Sequence, residues 1–261
     1  MAARAIWKGE LKLGSTRIPV ALYSAVMDRT VHFHILEEET KTRVKQHMVD
    51  PETNKEVAND EIRKAYEVEP GTFVILTAEE LESLKPEASR QIDITRFVAP
   101  EHVNSQLYDR PYYLAPDADQ KAYLALAEAL ANQDREGIAR WVMRDKEYIG
   151  ALRAQDGYLM LITLRHPEEV VAAEELPSPG GPALDRKELT MAKQLVEMLD
   201  AEFDPSEFKD QYRERVMEFI ETKAKGKAPK LRAVRAKRAP SELDKVLKKS
   251  IETLKKEKAA A

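Results

Sequence analysis

The chain has 261 residues, of which 43% are hydrophobic and 34% charged, with no cysteine and a formal net charge of −4. Without cysteine there are no structural disulfides, thiol nucleophiles or cysteine-based zinc sites, which suits a reducing cytoplasm. Lys8, Glu10 and Lys12 stand where a signal peptide needs an apolar run, and no window reaches the length of a membrane span. A cytoplasmic protein with no membrane partner is expected.

In chain order, Ile6 to Leu13 alternates apolar and polar residues. Gly14-Ser15-Thr16 breaks the run, and Ile18 to Tyr23 starts a second strand, which together read as a hairpin. Thr30 to Leu36 places Val31, Phe33 and Ile35 on one face and His32 and His34 on the other, which predicts a strand with one buried side. Lys41 to Met48 carries Lys41, Arg43, Lys45 and His47 at every second position. On a strand these cations lie about 7 Å apart in a line. Such a row can meet a duplex, which presents one phosphate charge per ~1.7 Å of axis. Taken alone, the row more readily keeps an exposed strand face from aggregating.

Asn59 is expected to cap a helical turn through Tyr66, and Thr72 to Leu76 reads as a buried strand. Thr77-Ala78-Glu79-Glu80 is a capping box opening a helix to Leu84. Gln91 to Val98 and Tyr112 to Leu114 read as strands. Asp119 to Gln133 is a predicted helix with Tyr123, Leu124, Ala127, Leu130 and Ala131 as its apolar stripe. A meander follows over Gly137–Lys146, Tyr148–Ala154 and Tyr158–Arg165, with Asp156-Gly157 as a tight turn. On the first of these strands Arg140, Arg144 and Lys146 share parity, and Asp145 and Glu147 sit beside them.

Pro177 to Pro182 is a linker. A helix capped by Asp185 is expected to run to about Phe203, and a second one to start at Asp204-Pro205 with Phe208, Tyr212, Val216, Phe219 and Ile220 as its stripe. Lys223 to Ala261 carries 14 Lys+Arg against 4 Asp+Glu, a charge of +10, which leaves −14 on the rest of the chain. An acidic body with a basic tail suits a polyanionic partner, and it also suits a merely solvated tail. Between Lys223 and Arg238 the cations (Lys223, Lys225, Lys227, Lys230, Arg232 and Arg235 among them) read as a flexible strap. Leu243, Val246, Leu247, Ile251 and Leu254 form the stripe of a terminal helix with the profile of a partner-binding segment.

No phosphate loop, G-x-S-x-G or H-E-x-x-H is present, and His32 and His34 lack a third ligand at a useful spacing. No catalytic residue, metal site or cofactor is expected.

The sequence also carries a resemblance. Arg4-Ala5-Ile6-Trp7-Lys8-Gly9, Ile18-Pro19-Val20 and Leu22-Tyr23-Ser24-Ala25 resemble the opening of the prokaryotic Ku family. So, in order and spacing, do EVEPGTFVILTAEEL at 67–81, Tyr108 to Pro116 and the helical stretch at 189–223. The resemblance covers roughly Arg4 to Lys227. It implies a mixed, mainly β fold: a Ku-type β-barrel core with peripheral helices, an arch-forming strand insertion and a helical C-terminal arm. The implied domains are 1–176 for the barrel and arch, 177–222 for the linker and arm that packs on a second subunit, and 223–261 for the basic tail.

The implied function is binding of double-stranded DNA ends by a ring-shaped homodimer, nucleoid-associated, in non-homologous end joining. An ATP-dependent DNA ligase is the implied partner of the terminal helix. The DNA-contact role falls on Lys41 to His47, on Arg140, Arg144 and Lys146, on Arg153 and Arg165, and on the tail cations. Many family members have a cysteine pair just after the basic strand; here Val49 to Lys55 has none. Two rival readings are an adaptor whose basic tail binds RNA, anionic lipid or an acidic protein, and a hydrolase using paired carboxylates.

Overall fold

The computed structural model describes residues 4–178, 180–181, 185–226 and 251–252. In chain order these form β1 (Trp7–Leu13), β2 (Thr16–Ser24), β3 (Lys64–Glu69), β4 (Thr72–Leu76), α1 (Ala78–Ser83), β5 (Gln91–Val98) and β6 (Tyr108–Pro116). They continue as α2 (Gln120–Gln133), β7 (Glu136–Met143), β8 (Lys146–Gln155), β9 (Tyr158–Leu164), α3 (Arg186–Leu199) and α4 (Gln211–Ala224). Two compact units result, each taken over its described residues: Met1–Arg29 with His34–Glu175, and Thr30–Phe33 with Leu176–Ala261.

Seven strands close a barrel in the order β1-β2-β6-β9-β8-β7-β5. All its pairs are antiparallel except β1 with β5, which closes the ring in parallel. Period-two alternation fills the interior with Leu11, Ile18, Val20, Leu22, Ile92, Leu114, Ala139, Trp141, Leu152, Leu159 and Leu161, all buried. Cross-strand partners Trp141 and Tyr148 stack at 5.4 Å between ring centroids. Gly150 has to be glycine there, because a Cβ would come within 2.8 Å of the Trp141 ring and 2.7 Å of the Ile162 carbonyl.

Helix α2 adds Tyr123, Ala127 and Leu130 to the same core. The Tyr123 hydroxyl donates to the Leu114 carbonyl at 2.6 Å and accepts from the Leu159 amide at 2.7 Å, so it ties the helix to β6 and β9. The predicted stripe is corrected at two positions: Leu124 is 56% exposed and Ala131 also faces solvent, whereas Leu126 packs against the core.

The long excursion between β2 and β5 departs most from the sequence reading. No strand forms over 30–36; only Leu36 bridges, to Arg43. Phe33 and Ile35 are each 67% exposed, because no second layer covers them within the described chain. The expected helical turn after Asn59 is only a turn at 59–61. The chain then enters β3, which pairs with β4 as an isolated two-stranded ribbon. A left-handed Gly71 and a hydrogen bond that its backbone amide donates to the Glu67 carboxylate (2.8 Å) close that ribbon. β4 is a strand as expected but not buried: Phe73 is 58% and Ile75 62% exposed. The Thr77–Glu80 capping box is present.

In the second unit, Asp185 and Glu188 form the expected capping box. Helix α3 stops at Leu199 rather than near Phe203, because Asp200 turns to an extended backbone. Asp204-Pro205 opens only a single 3₁₀ turn, and α4 begins later, where the Asp210 carboxylate accepts from the Arg213 amide at 2.9 Å. The predicted second helix is therefore shortened, and Phe208 lies outside it. Ile251 and Glu252 are helical. Lys227, Lys230, Arg232, Arg235, Leu243, Val246, Leu247 and Leu254 lie outside the described residues. Among the described residues no helix is long and apolar enough to cross a membrane.

Candidate nucleic-acid interface

The cationic segment 41–47 is exposed throughout. It is not a regular strand, which corrects the reading of Lys41 to Met48. The segment is tied on one side by the Val44 amide to the Ile35 carbonyl (3.2 Å) and on the other by Val57 to Met48 (2.8 Å). Among the described residues its only bridge is Leu36–Arg43, with Val49–Glu56 just beyond its end. Tight turns with left-handed Lys41 and Asn54 flank it and prevent a continuous ladder.

These turns sort the cations. Lys41 folds back so that its ammonium donates to the Glu38 carbonyl, and His47 Nδ1 pairs with the Glu56 carboxylate. Arg43 and Lys45 are left without a carboxylate partner among the described residues. The first turn is fixed by Glu37, whose carboxylate accepts from the amides of Glu39 (3.0 Å) and Thr40 (2.5 Å). Those backbone donors pull the Glu37 carboxyl down to about 2.

On the barrel the predicted row is broken. Arg140 sits on β7, facing outward, but Arg144 and Asp145 form the tight turn to β8, with φ of 52° and 60°, and Lys146 starts the next strand. Parity along one strand therefore does not unite the three. Arg140 Nη2 holds Glu147 Oε1 at 2.7 Å. Arg165 is committed to the Asp109 carboxylate (2.6 Å) and to the carbonyls of Gln106 and Tyr108. Arg153 lies 3.6 Å from the carboxylate of Glu136, which is only 1% exposed. The Tyr108 hydroxyl donates to the other oxygen of Glu136 at 2.5 Å, and burial together with that carboxylate pushes the phenol above its usual range. Arg144 and Lys146 have no carboxylate partner among the described residues. Of the tail cations, Lys223 lies in the last turn of α4 and Lys225 caps it. Lys8 and Lys12, on β1, are paired with Asp117 (2.8 Å) and Asp93 (2.7 Å).

Sequence reasoning missed Glu136 and Lys85. Lys85 Nζ bridges Glu82 (2.7 Å) and Asp145 (2.8 Å), so it joins the segment after α1 to the β7–β8 turn. No local pattern announces such partners, because Lys85 meets Asp145, and Tyr108 meets Glu136, only through the pairing of strands distant in sequence. No group of three His, Asp or Glu suited to a metal occurs among the described residues.

The fold and site define a class: a closed seven-stranded barrel with a long excursion between β2 and β5. Of the cations that the sequence offers to DNA, those without a carboxylate partner among the described residues include Arg43 and Lys45 on that excursion and Arg144 and Lys146 at the β7–β8 turn. Residues 12–196 match the family model described as the Ku70/Ku80 beta-barrel domain. The chain is 38% identical over 262 residues to the non-homologous end joining protein Ku of Heliobacterium modesticaldum, covering 98% of this chain and 94% of that protein. It is 34% identical over 256 residues to Ku 2 of Geotalea uraniireducens (98% and 99% covered). It is 40% identical over 230 residues to Ku of an Anaeromyxobacter species (87% and 77%). The chain belongs to the Ku family. Proteins with this domain are non-catalytic factors, and this chain is one of them.

Proposed function

We propose that the chain binds double-stranded DNA ends without sequence preference, as a ring-shaped homodimer, in non-homologous end joining in the cytoplasm at the nucleoid. The observation that carries this reading is the family match across the barrel together with free cations on its excursion and turn. Arg43, Lys45, Arg144 and Lys146 would meet phosphates, which position a duplex without reading its bases. The acidic body would repel DNA elsewhere and leave those cations and the tail as the attractive path.

A second copy of the chain gives the exposed apolar surface an occupant. Tyr66, Phe73 and Ile75 on the β3–β4 ribbon, and Val196, Leu199 and Tyr212 on α3 and α4, are all more than half exposed in one protomer. A closed ring gives end preference by topology, since a duplex enters it only from a free terminus. The terminal helix, with Leu243, Val246, Leu247, Ile251 and Leu254, would recruit an ATP-dependent DNA ligase.

A topological trap tests the ring. Protein loaded on linear duplex, with the DNA then ligated into a circle, should stay bound through a high-salt wash; release at the same rate as from linear DNA would refute it. Truncation before Lys223 should weaken end binding and abolish ligase stimulation. Loss of all DNA affinity would instead make the tail the binding element and favour the adaptor reading.

A further inference from the structure

Residues 88–90, where the excursion returns to the barrel, leave a cavity of about 280 Å³ against the start of β1 and the β7–β8 turn. Its walls include Trp7, Arg90, Met143, Arg144 and Asp145. Each wall is held by the fold. The Arg90 carbonyl accepts from the Glu10 amide at 2.8 Å, which pins the backbone at position 90 to β1. Arg144 is set by the two left-handed residues of its turn, closed by the Met143–Lys146 pair. The Trp7 indole folds back over Gly9, where any Cβ would fall 2.0 Å from the ring.

The charges are arranged unevenly. Arg90 and Arg144 are exposed and have no carboxylate partner among the described residues. The one acid in the wall, Asp145, has its carboxylate 2.8 Å from Lys85 Nζ. That contact turns the negative charge toward Lys85 and leaves two guanidinium groups uncompensated around a small space with an aromatic wall. A guanidinium presents a planar fork that fits phosphate oxygens, and an indole face accepts the apolar side of a sugar or base. The volume lies at the small end of ligand sites, suited to one nucleotide unit and not to a base pair.

We propose that this cavity binds one sugar–phosphate unit of a DNA strand, its phosphate between Arg90 and Arg144 and its deoxyribose against Trp7. The proposal rests on the DNA-binding reading above. It adds Arg90 and Trp7 to the interface and makes Arg144 one half of a shared phosphate clamp. The unit is either internal or the 5′-terminal nucleotide, which share this chemistry.

The test uses the full chain as Arg90→Gln, Arg144→Gln and the double variant, with folding checked by circular dichroism and melting temperature. Binding of a blunt duplex is followed as log Kobs against log[KCl]. Each neutralised phosphate contributes about 0.9 to that slope. One shared phosphate predicts that the double variant loses about one unit of slope, while each single variant, with one guanidinium still on the phosphate, keeps most of it. Parallel duplexes with 5′-phosphate and 5′-hydroxyl ends separate the two sources. A parental preference for the phosphate, lost in the double variant, assigns the terminal nucleotide; no preference, with the slope change kept, assigns an internal one. An unchanged slope in a folded double variant overturns the clamp while leaving end binding intact, and an additive loss of about two units overturns the sharing. If the parent itself binds no duplex, the function reading falls and the clamp falls with it.

Discussion

Arg140 and Glu147 face each other on the outside of β7 and β8, with Nη2 2.7 Å from Oε1. Both side chains are more than half exposed, so the pair contributes little to stability. Its consequence is electrostatic: a cation that the sequence offers to DNA is already engaged. Glu147→Gln should release Arg140, tighten duplex binding and steepen the salt slope by up to about one unit, with the melting temperature nearly unchanged. A titration of Kobs against salt checks this, and an unaltered slope places Arg140 away from the duplex.

On the excursion, Arg43 and Lys45 are the free members of the predicted row, while Lys41 and His47 are tied to Glu38 and Glu56. Arg43→Gln with Lys45→Gln should therefore flatten the salt slope by about two units, and Lys41→Gln should change it much less. Equal effects from all three would mean that the turn around Lys41 opens when DNA binds.

Tyr123 is the link between α2 and the barrel. Tyr123→Phe leaves the buried Leu159 amide and Leu114 carbonyl without the hydroxyl that now serves both. Denaturant unfolding should report a loss of roughly 1–3 kcal/mol. The far-ultraviolet spectrum should stay the same.

The turn that opens the cationic segment is pH-sensitive through Glu37. Its carboxyl is depressed to about 2 by backbone donors, so its contribution is complete above the ordinary carboxylate value of 4.5. That contribution is lost as pH falls from there toward 2. Amide protection at Thr40 should decline across this window, and Glu37→Gln should remove the pH dependence.

Local chemistry made part of this architecture legible in the sequence. The Thr77–Glu80 and Asp185–Glu188 capping boxes and the Asp156-Gly157 turn need only neighbouring residues, and all three form. The Arg144-Asp145 turn was hidden because neither residue is glycine, although both adopt positive φ. Reading Gly137 to Lys146 as one strand placed Arg144 and Lys146 in a row with Arg140, when they belong to a turn and the next strand. The excursion departs from its sequence pattern for a different reason. Alternation at Val31, Phe33 and Ile35 predicts a strand only if a sheet is available to receive it, and the described chain offers none. Carboxylate partners such as Glu147 for Arg140 were visible as neighbours in sequence. That for Arg153, Glu136, lies opposite it only in the register of the β7–β8 hairpin, and Lys85 meets Asp145 only through the pairing of β5 with β7.

The central claim is that a closed ring admits DNA only from an end. The most direct measurement compares the affinity of the full-length protein for a linear duplex of tens of base pairs and for a relaxed closed circle of the same sequence, in the same salt. The account predicts tight binding to the linear form and essentially none to the circle. Equal affinity for both would contradict it.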